Sequence, residues 1–313
     1  MTNAEIAVRL GIDEAWIAKR TGTAVRPWAA PGERMSDLAA RAGREALACA
    51  DFPAAELDLV LVATSTADEI TPNAAPLVAG LIGAERAGAL DVGAACTGWL
   101  GALAMACGQI ESGRARAALV VGADFLSRFL DFSDRDTTVV FADGAGAALV
   151  CATDDAPSRV GPIILHADHA FADLIQLSRG AQIQMRGPEV FRVAVGRLTE
   201  VTGQALASAG LGIDDIDLFV YHQANSRIIR AVGARLQLAS ERVVDYVDRF
   251  ANASTATLPI ALSVAQAEGR LCAGDRVLLA AFGGGLTWGA TVVEWTAQAA
   301  PLSEASLQRV ARG

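Results

Sequence analysis

One thiol stands where a run of small residues gives way to a helical pattern: GAACTGWLGALAMACG, residues 93–108, with Cys96 between Ala95 and Thr97. Two readings of it are open. Cys96 is a small buried hydrophobe, or it is a nucleophile at the positive end of a helix dipole, where a thiol pKa falls and the thiolate fraction rises. Gly93, Ala94, Ala95 and Gly98 leave the backbone around it accessible to a substrate. Cys107 fits the same helix face and reads as core.

His222 follows the apolar strand DLFVY, at the carboxyl end of a strand, where open α/β sheets build their sites. It is a capping residue or a functional one. Asn252, in RFANASTATLP, ends another expected strand just before a helix; it is a helix cap, or a donor held at a strand-to-helix corner. His166 and His169 lie near a strand end in a polar loop. FGGGLTWGA, residues 282–290, is a glycine turn between strands, read either as a plain hairpin or as a backbone N–H aimed at an oxyanion. No GKS or GKT follows it, so it is not a phosphate loop.

These residues need elements to position them, and the chain contains those elements twice. EALACADFPAAELDLVLV (45–62) aligns without a gap to QALASAGLGIDDIDLFVY (204–221), an offset of 159 residues. Helices are expected over 73–83, 97–112 and 225–236, and from Ser254 to about Gly269. Strands are expected over 88–96, 116–124, 242–252, 275–284 and 288–296, with a strand pair around 137–152. Alternation at this spacing implies βαβ units and a parallel-rich buried sheet. The fold class is therefore α/β, built as two duplicated halves, residues 1–155 and 156–313. In this duplication Cys96 projects to residue 255, three positions from Asn252, so pseudo-symmetry brings the two corners together with His222 beside them. One piece is missing: the strand expected at 159–167 has no counterpart before the helical or turn-like stretch 3–20, which leaves open a start upstream of Met1.

Composition narrows the function. Hydrophobic residues make up 52% and charged ones 19%, which requires a sizeable core or an oligomer interface. A net charge of −9 disfavours nucleic acid as a partner. Five scattered cysteines and three histidines argue against a disulfide framework or a metal site. No run approaches roughly 18 apolar residues, and no signal peptide is visible, so no membrane association and a cytoplasmic location are expected.

The motifs DEAWIAKRTGTAVR, DVGAACTGW, FADGAGAALV, HQANSRII, FANASTATLP and AFGGGLTWGA, in that order over nearly the whole chain, resemble the β-ketoacyl-acyl carrier protein synthase III family. The resemblance implies a thiolase-like layered fold, in which the duplication leaves the N-terminal half without its first strand. It implies an acyltransferase that takes an acyl group from acyl-coenzyme A onto Cys96 and condenses it with malonyl-acyl carrier protein, losing carbon dioxide. In that scheme the Cys96 and Gly284 N–H groups form the oxyanion hole, and a neutral His222 with Asn252 stabilises the enolate. Trp16 and Arg135 match positions that sandwich the coenzyme A adenine. Arg227 and Arg230, with Arg235 and Arg242 nearby and only Glu241 opposing them, read as a dock for the acidic carrier protein or as a solvated helix face. Thr71 and Phe282 match the acyl pocket, Thr71 from across a homodimer. No cofactor or metal is implied; both thioesters are substrates.

Three departures stand out. Thr71 is small and would open the channel to longer or branched acyl groups, and the 166–191 stretch is shorter than its family counterpart. Ala251 replaces the glycine usual before the asparagine. The competing readings are acyl transfer to an oxygen or nitrogen nucleophile or to water, and a non-catalytic partner subunit.

Overall fold

The computed structural model describes residues 1–153 and 159–296; the expected divide near residue 155 lies outside them. The chain opens with helices α1 (Asn3–Leu10), α2 (Glu14–Thr21) and α3 (Met35–Cys49). Thr2 and Glu5 form a capping box on α1, and Gly11 at φ +63° ends it, so 3–20 is two helices rather than one. Then follow β1 (Leu59–Ala63), α4 (Ala74–Ile82), β2 (Gly88–Val92), α5 (Gly98–Glu111), β3 (Ala117–Phe125), α6 (Arg135–Thr138) and β4 (Asp143–Cys151). The second half contains β5 (Ile164–Ala167), β6 (Ile175–Gln176), β7 (Gln184–Met185), α7 (Gly187–Ala209), β8 (Leu218–Tyr221), α8 (Ser226–Arg235), α9 (Val247–Phe250), α10 (Thr257–Ala267), β9 (Arg276–Gly283) and β10 (Thr287–Glu294).

Two four-stranded sheets result, ordered β2-β1-β3-β4 and β5-β10-β9-β8. Every residue of β3 is buried, which explains its unbroken apolar run in place of alternation. Successive side chains still serve opposite faces: Val120 joins a central core with Trp99 and Leu103 of α5 and Leu258 and Leu262 of α10. Leu119 and Val121 face α3 and α4. The second sheet repeats this, with α7 and α8 on its outer face. The layers are thus helix, sheet, helix pair, sheet, helix. Among the described residues no strand pairs with the outer edge of β4, where β5 would be its counterpart on β10.

Two expected strands are corrected. Residues 242–252 form no ladder strand: Val243 makes an isolated bridge to Phe219 and Asn252 one to Phe141, with α9 between them. The backbone is drawn elsewhere, because Asp248 O accepts the Ala24 and Val25 N–H groups. The pair around 137–152 is a single strand, β4, preceded by the short α6.

Candidate active site

Strand β2 ends at Val92, so Cys96 sits past the strand in a one-turn 3₁₀ helix, Ala95–Thr97, leading into α5. Ala95 adopts φ +46°, a left-handed conformation that sharpens the turn. Thr97 Oγ1 donates to Ala94 O at 2.7 Å and pairs with Thr287 Oγ1 at 2.7 Å. That tethers the turn to the β9–β10 hairpin. A Cβ on Gly283 would come within 2.7 Å of Cys96 N, so only glycine lets β9 lie this close. Gly284 follows directly. Among the described residues neither the Cys96 nor the Gly284 N–H takes part in a turn, loop or cap hydrogen bond to another backbone group.

The expected fall in the Cys96 pKa is corrected. Cys96 is half-buried as a residue, yet burial of its thiol pushes the pKa up to about 12, with Ser254 opposing and Asp124 reinforcing the rise. Without substrate, desolvation outweighs the helix terminus. The sulfur accepts from Ser254 Oγ at 3.5 Å.

His222 directly follows β8, its N–H bonded to Ala280 O. The ring is buried, and burial lowers its pKa to about 3, so it is neutral at physiological pH. Nδ1 meets Thr257 Oγ1 at 2.5 Å. With the threonine hydroxyl donating there, Nε2 carries the hydrogen. Asn252 Oδ1 accepts the Ser254 N–H at 2.8 Å, which orients the amide NH₂ away from that turn. Its backbone is clasped by Val140 O and Ala142 N–H. Ala251, fully buried, holds φ +50° and ψ −153°. That region is essentially restricted to glycine, so the glycine-to-alanine departure carries strain.

The other expected residues divide. Arg135 lies over Trp16 with Cζ 5.2 Å from the ring centroid, and Arg20 is 5.7 Å from the same ring. The pair is assembled but closed: a stacked base needs roughly 7 Å between its two faces' partners. Phe282 packs edge-on to His222 at 5.6 Å. Thr71 is exposed on the single chain. Arg227 and Arg230 are exposed on α8, with Asp245 3.4 Å from Arg230. Arg242 is not part of that surface: its guanidinium donates to the Ile213 and Ile216 carbonyls. His166 bonds Gln204 Oε1 at 2.8 Å and packs against the Trp288 ring at 5.4 Å. No cluster able to hold a metal occurs among the described residues.

Sequence reasoning missed Ser254, Thr257 and Asp124. The signal was present: Ser254 and Thr257 stand 159 positions after Ala95 and Gly98, the residues flanking the cysteine turn.

A duplicated α/β molecule that sets a cysteine turn of one half against histidine- and asparagine-bearing corners of the other defines the thiolase-like class. Comparison with known proteins narrows this. Residues 90–169 match the model of 3-oxoacyl-[acyl-carrier-protein] synthase III, and residues 206–295 match that of its C-terminal part. A Sphingopyxis alaskensis β-ketoacyl-[acyl-carrier-protein] synthase III is 43% identical over 94% of each chain. The structure of the Thermus thermophilus synthase III superposes with a TM-score of 0.91 at 41% identity, covering 95% of each chain. The priming β-ketosynthase of the R1128 polyketide pathway gives 0.92 at 32% identity, covering 96% of this chain and 93% of its own. The chain belongs to the β-ketoacyl-[acyl-carrier-protein] synthase III family.

Proposed function

We infer that this chain primes chain elongation by decarboxylative condensation of an acyl thioester with malonyl-acyl carrier protein, and that it is an acyltransferase of the synthase III type. The Cys96 thiolate attacks the carbonyl of an acyl-coenzyme A. The carbon–sulfur bond to Sγ forms, and coenzyme A leaves with the proton. The bond from malonyl Cα to its carboxylate then breaks and carbon dioxide departs. The resulting enolate attacks the acyl carbonyl, and Cys96 is released. His222 and Asn252 donate to the enolate oxygen, and the Cys96 and Gly284 N–H groups to the tetrahedral oxyanion.

The observation that most supports this reading is a neutral His222 whose Nδ1 is occupied by Thr257. Such a ring offers an N–H donor, which decarboxylation needs, rather than a base. Trp16 and Arg135 would open to stack a coenzyme A base, and Arg227 and Arg230 would meet an acidic carrier protein. A homodimer is supported by β2, an edge strand carrying exposed Leu90, with Met105 and Ile70 also exposed. Among the described residues no helix is long and apolar enough to cross a membrane.

The test is intact-mass measurement after incubation with a panel of acyl-coenzyme A thioesters, using Cys96→Ala as control. We expect an adduct on the native chain alone, its yield across the panel reporting pocket size near Thr71. Malonyl-acyl carrier protein should then discharge it with one carbon dioxide per product. Discharge to water or to an alcohol instead would overturn condensation; no adduct on folded protein would overturn catalysis.

A further inference from the structure

Arg26, in the connection between α2 and α3, is fully buried. Its Nε and Nη2 both donate to Val139 O, at 2.9 and 2.7 Å, and Nη1 donates to Asn3 Oδ1 at 2.8 Å. The Asn3 amide is itself anchored, its Nδ2 donating to Thr23 O at 2.6 Å. Among the described residues no carboxylate pairs with this guanidinium. Burial lowers its pKa to about 10, so at neutral pH it is a cation held by neutral oxygens. A buried charge without a counter-charge costs stability. An apolar side chain of similar length would fill the space without that cost, so stability of the fold does not explain the residue.

Val139 caps α6 and opens a short run that is gripped from two sides. On one side, Val139 O and Phe141 O accept from the side chains of Arg26 and Trp28, the latter at 3.1 Å, and the Asp143 N–H donates to Pro27 O at 2.8 Å. On the other, Val140 O accepts the Asn252 N–H at 3.1 Å, and the Ala142 N–H donates to Asn252 O at 2.9 Å. Alternate residues thus bond opposite neighbours, and Phe141 and Asn252 form a single parallel bridge. The same α2–α3 connection reaches the other flank of Asn252, where the Ala24 and Val25 N–H groups donate to Asp248 O. Asn252 needs this hold. Ala251 before it keeps φ +50° and ψ −153°, a conformation that persists only where its surroundings over-determine it.

We propose that Arg26 is a positioning residue for the enolate-stabilising amide: its two donors fix the Val139 carbonyl, and with it the Val140 and Ala142 backbone groups that set where Asn252 stands. Arg26 touches no substrate and acts through the 139–142 run. This assignment rests on Asn252 donating to the enolate. It separates the two half-reactions, because loading of Cys96 from acyl-coenzyme A makes no use of that amide.

The experiment follows both half-reactions in the full chain by intact mass. Loading is adduct formation on Cys96 from the acyl-coenzyme A that loads best, and discharge is loss of that adduct from the pre-acylated chain to malonyl-acyl carrier protein. Arg26→Met removes the donors at similar length. Discharge should slow roughly 10- to 100-fold, with loading within about twofold of native. In an Asn252→Ala chain the same substitution should cost less than about twofold, because the residue through which it acts is gone. Equal losses in loading and discharge, an unchanged discharge rate, or the same fold-loss with and without the Asn252 amide overturns the proposal. Should Arg26→Met not fold, Arg26→Gln takes its place in the same cycle, its amide too short to hold Val139 O from two nitrogens. No adduct on the native chain, or native-rate discharge in Asn252→Ala, overturns the condensation reading on which the proposal rests. A full Asn252→Ala defect with an additive Arg26 loss overturns the role of Arg26 alone.

Discussion

At an offset of 159 residues, β1 and β8 sit in one register on their neighbours: Leu59 opposes Ala118, and Leu218 opposes Val277. Asp58 accepts the Ala117 N–H and Asp217 the Arg276 N–H, at equivalent places. Each half then turns through a 3₁₀ helix with a left-handed residue at its head, Ala95 at φ +46° and Ser254 at φ +51°. On this shared frame the side chains diverge. Ala63, Gly93, Ala95, Cys96 and Gly98 in the first half stand where His222, Asn252, Ser254, Thr255 and Thr257 stand in the second. The first corner is stripped to one thiol among small residues, and the second supplies donors. A Cβ on Gly98 would come within 3.2 Å of Thr255 Oγ1, so the small residues are what allow the donor-rich corner to approach. Duplication provided two identical platforms; condensation needs one nucleophile and a set of hydrogen-bond donors facing it.

The halves differ again between their last two strands. β9 and β10 are joined by residues 284–286, whereas β3 and β4 are joined by 126–142. That longer connection carries Arg135 and clasps the Asn252 backbone through Val140 and Ala142. The insertion in one half thus fixes a donor of the other.

Removing the donor side of this asymmetry should have the largest effect after loss of Cys96 itself. His222→Ala should slow condensation on the order of 10²- to 10³-fold while acyl loading persists; equal loss of both steps would show that the corners do not divide the labour. The same ring sets a pH dependence. Between its ordinary value of 6.5 and about 3, the unfolded chain holds a proton that folded His222 does not. Stability should therefore fall as pH falls through that window. Urea midpoints measured across it should slope less steeply in His222→Ala.

Ala251→Gly relieves a backbone conformation that β2 does not impose on Val92, its first-half counterpart. Stability should rise by about 1 kcal/mol, read as a higher thermal midpoint. A lower one would mean that the methyl contact is worth more than the strain. Thr255→Val should have the smallest effect. Its hydroxyl is buried and without a partner among the described residues, so condensation should stay within about twofold and the melting temperature should not drop. A large activity loss would give this counterpart of Cys96 a role of its own.

The repeat of 45–62 at 204–221, the small-residue run before Cys96 and the glycines of 283–285 pointed to the duplicated sheets, the cysteine turn and the hairpin beside it. These are local signals, because burial imposes apolar runs and tight backbone imposes glycine. The 242–252 segment misled for the opposite reason: its apolar residues read as a strand, but Asp248 O is bonded to a loop more than two hundred residues earlier.

The sequence by itself determined which residue types stand at each corner and that the corners are equivalent. The tertiary structure alone decided their electrical state. A neutral His222, a Cys96 thiol raised rather than lowered, and a buried Asp124 with one bare oxygen all follow from desolvation by distant segments packing over the site. No local spacing encodes that burial, because it depends on how much of the rest of the chain excludes water there.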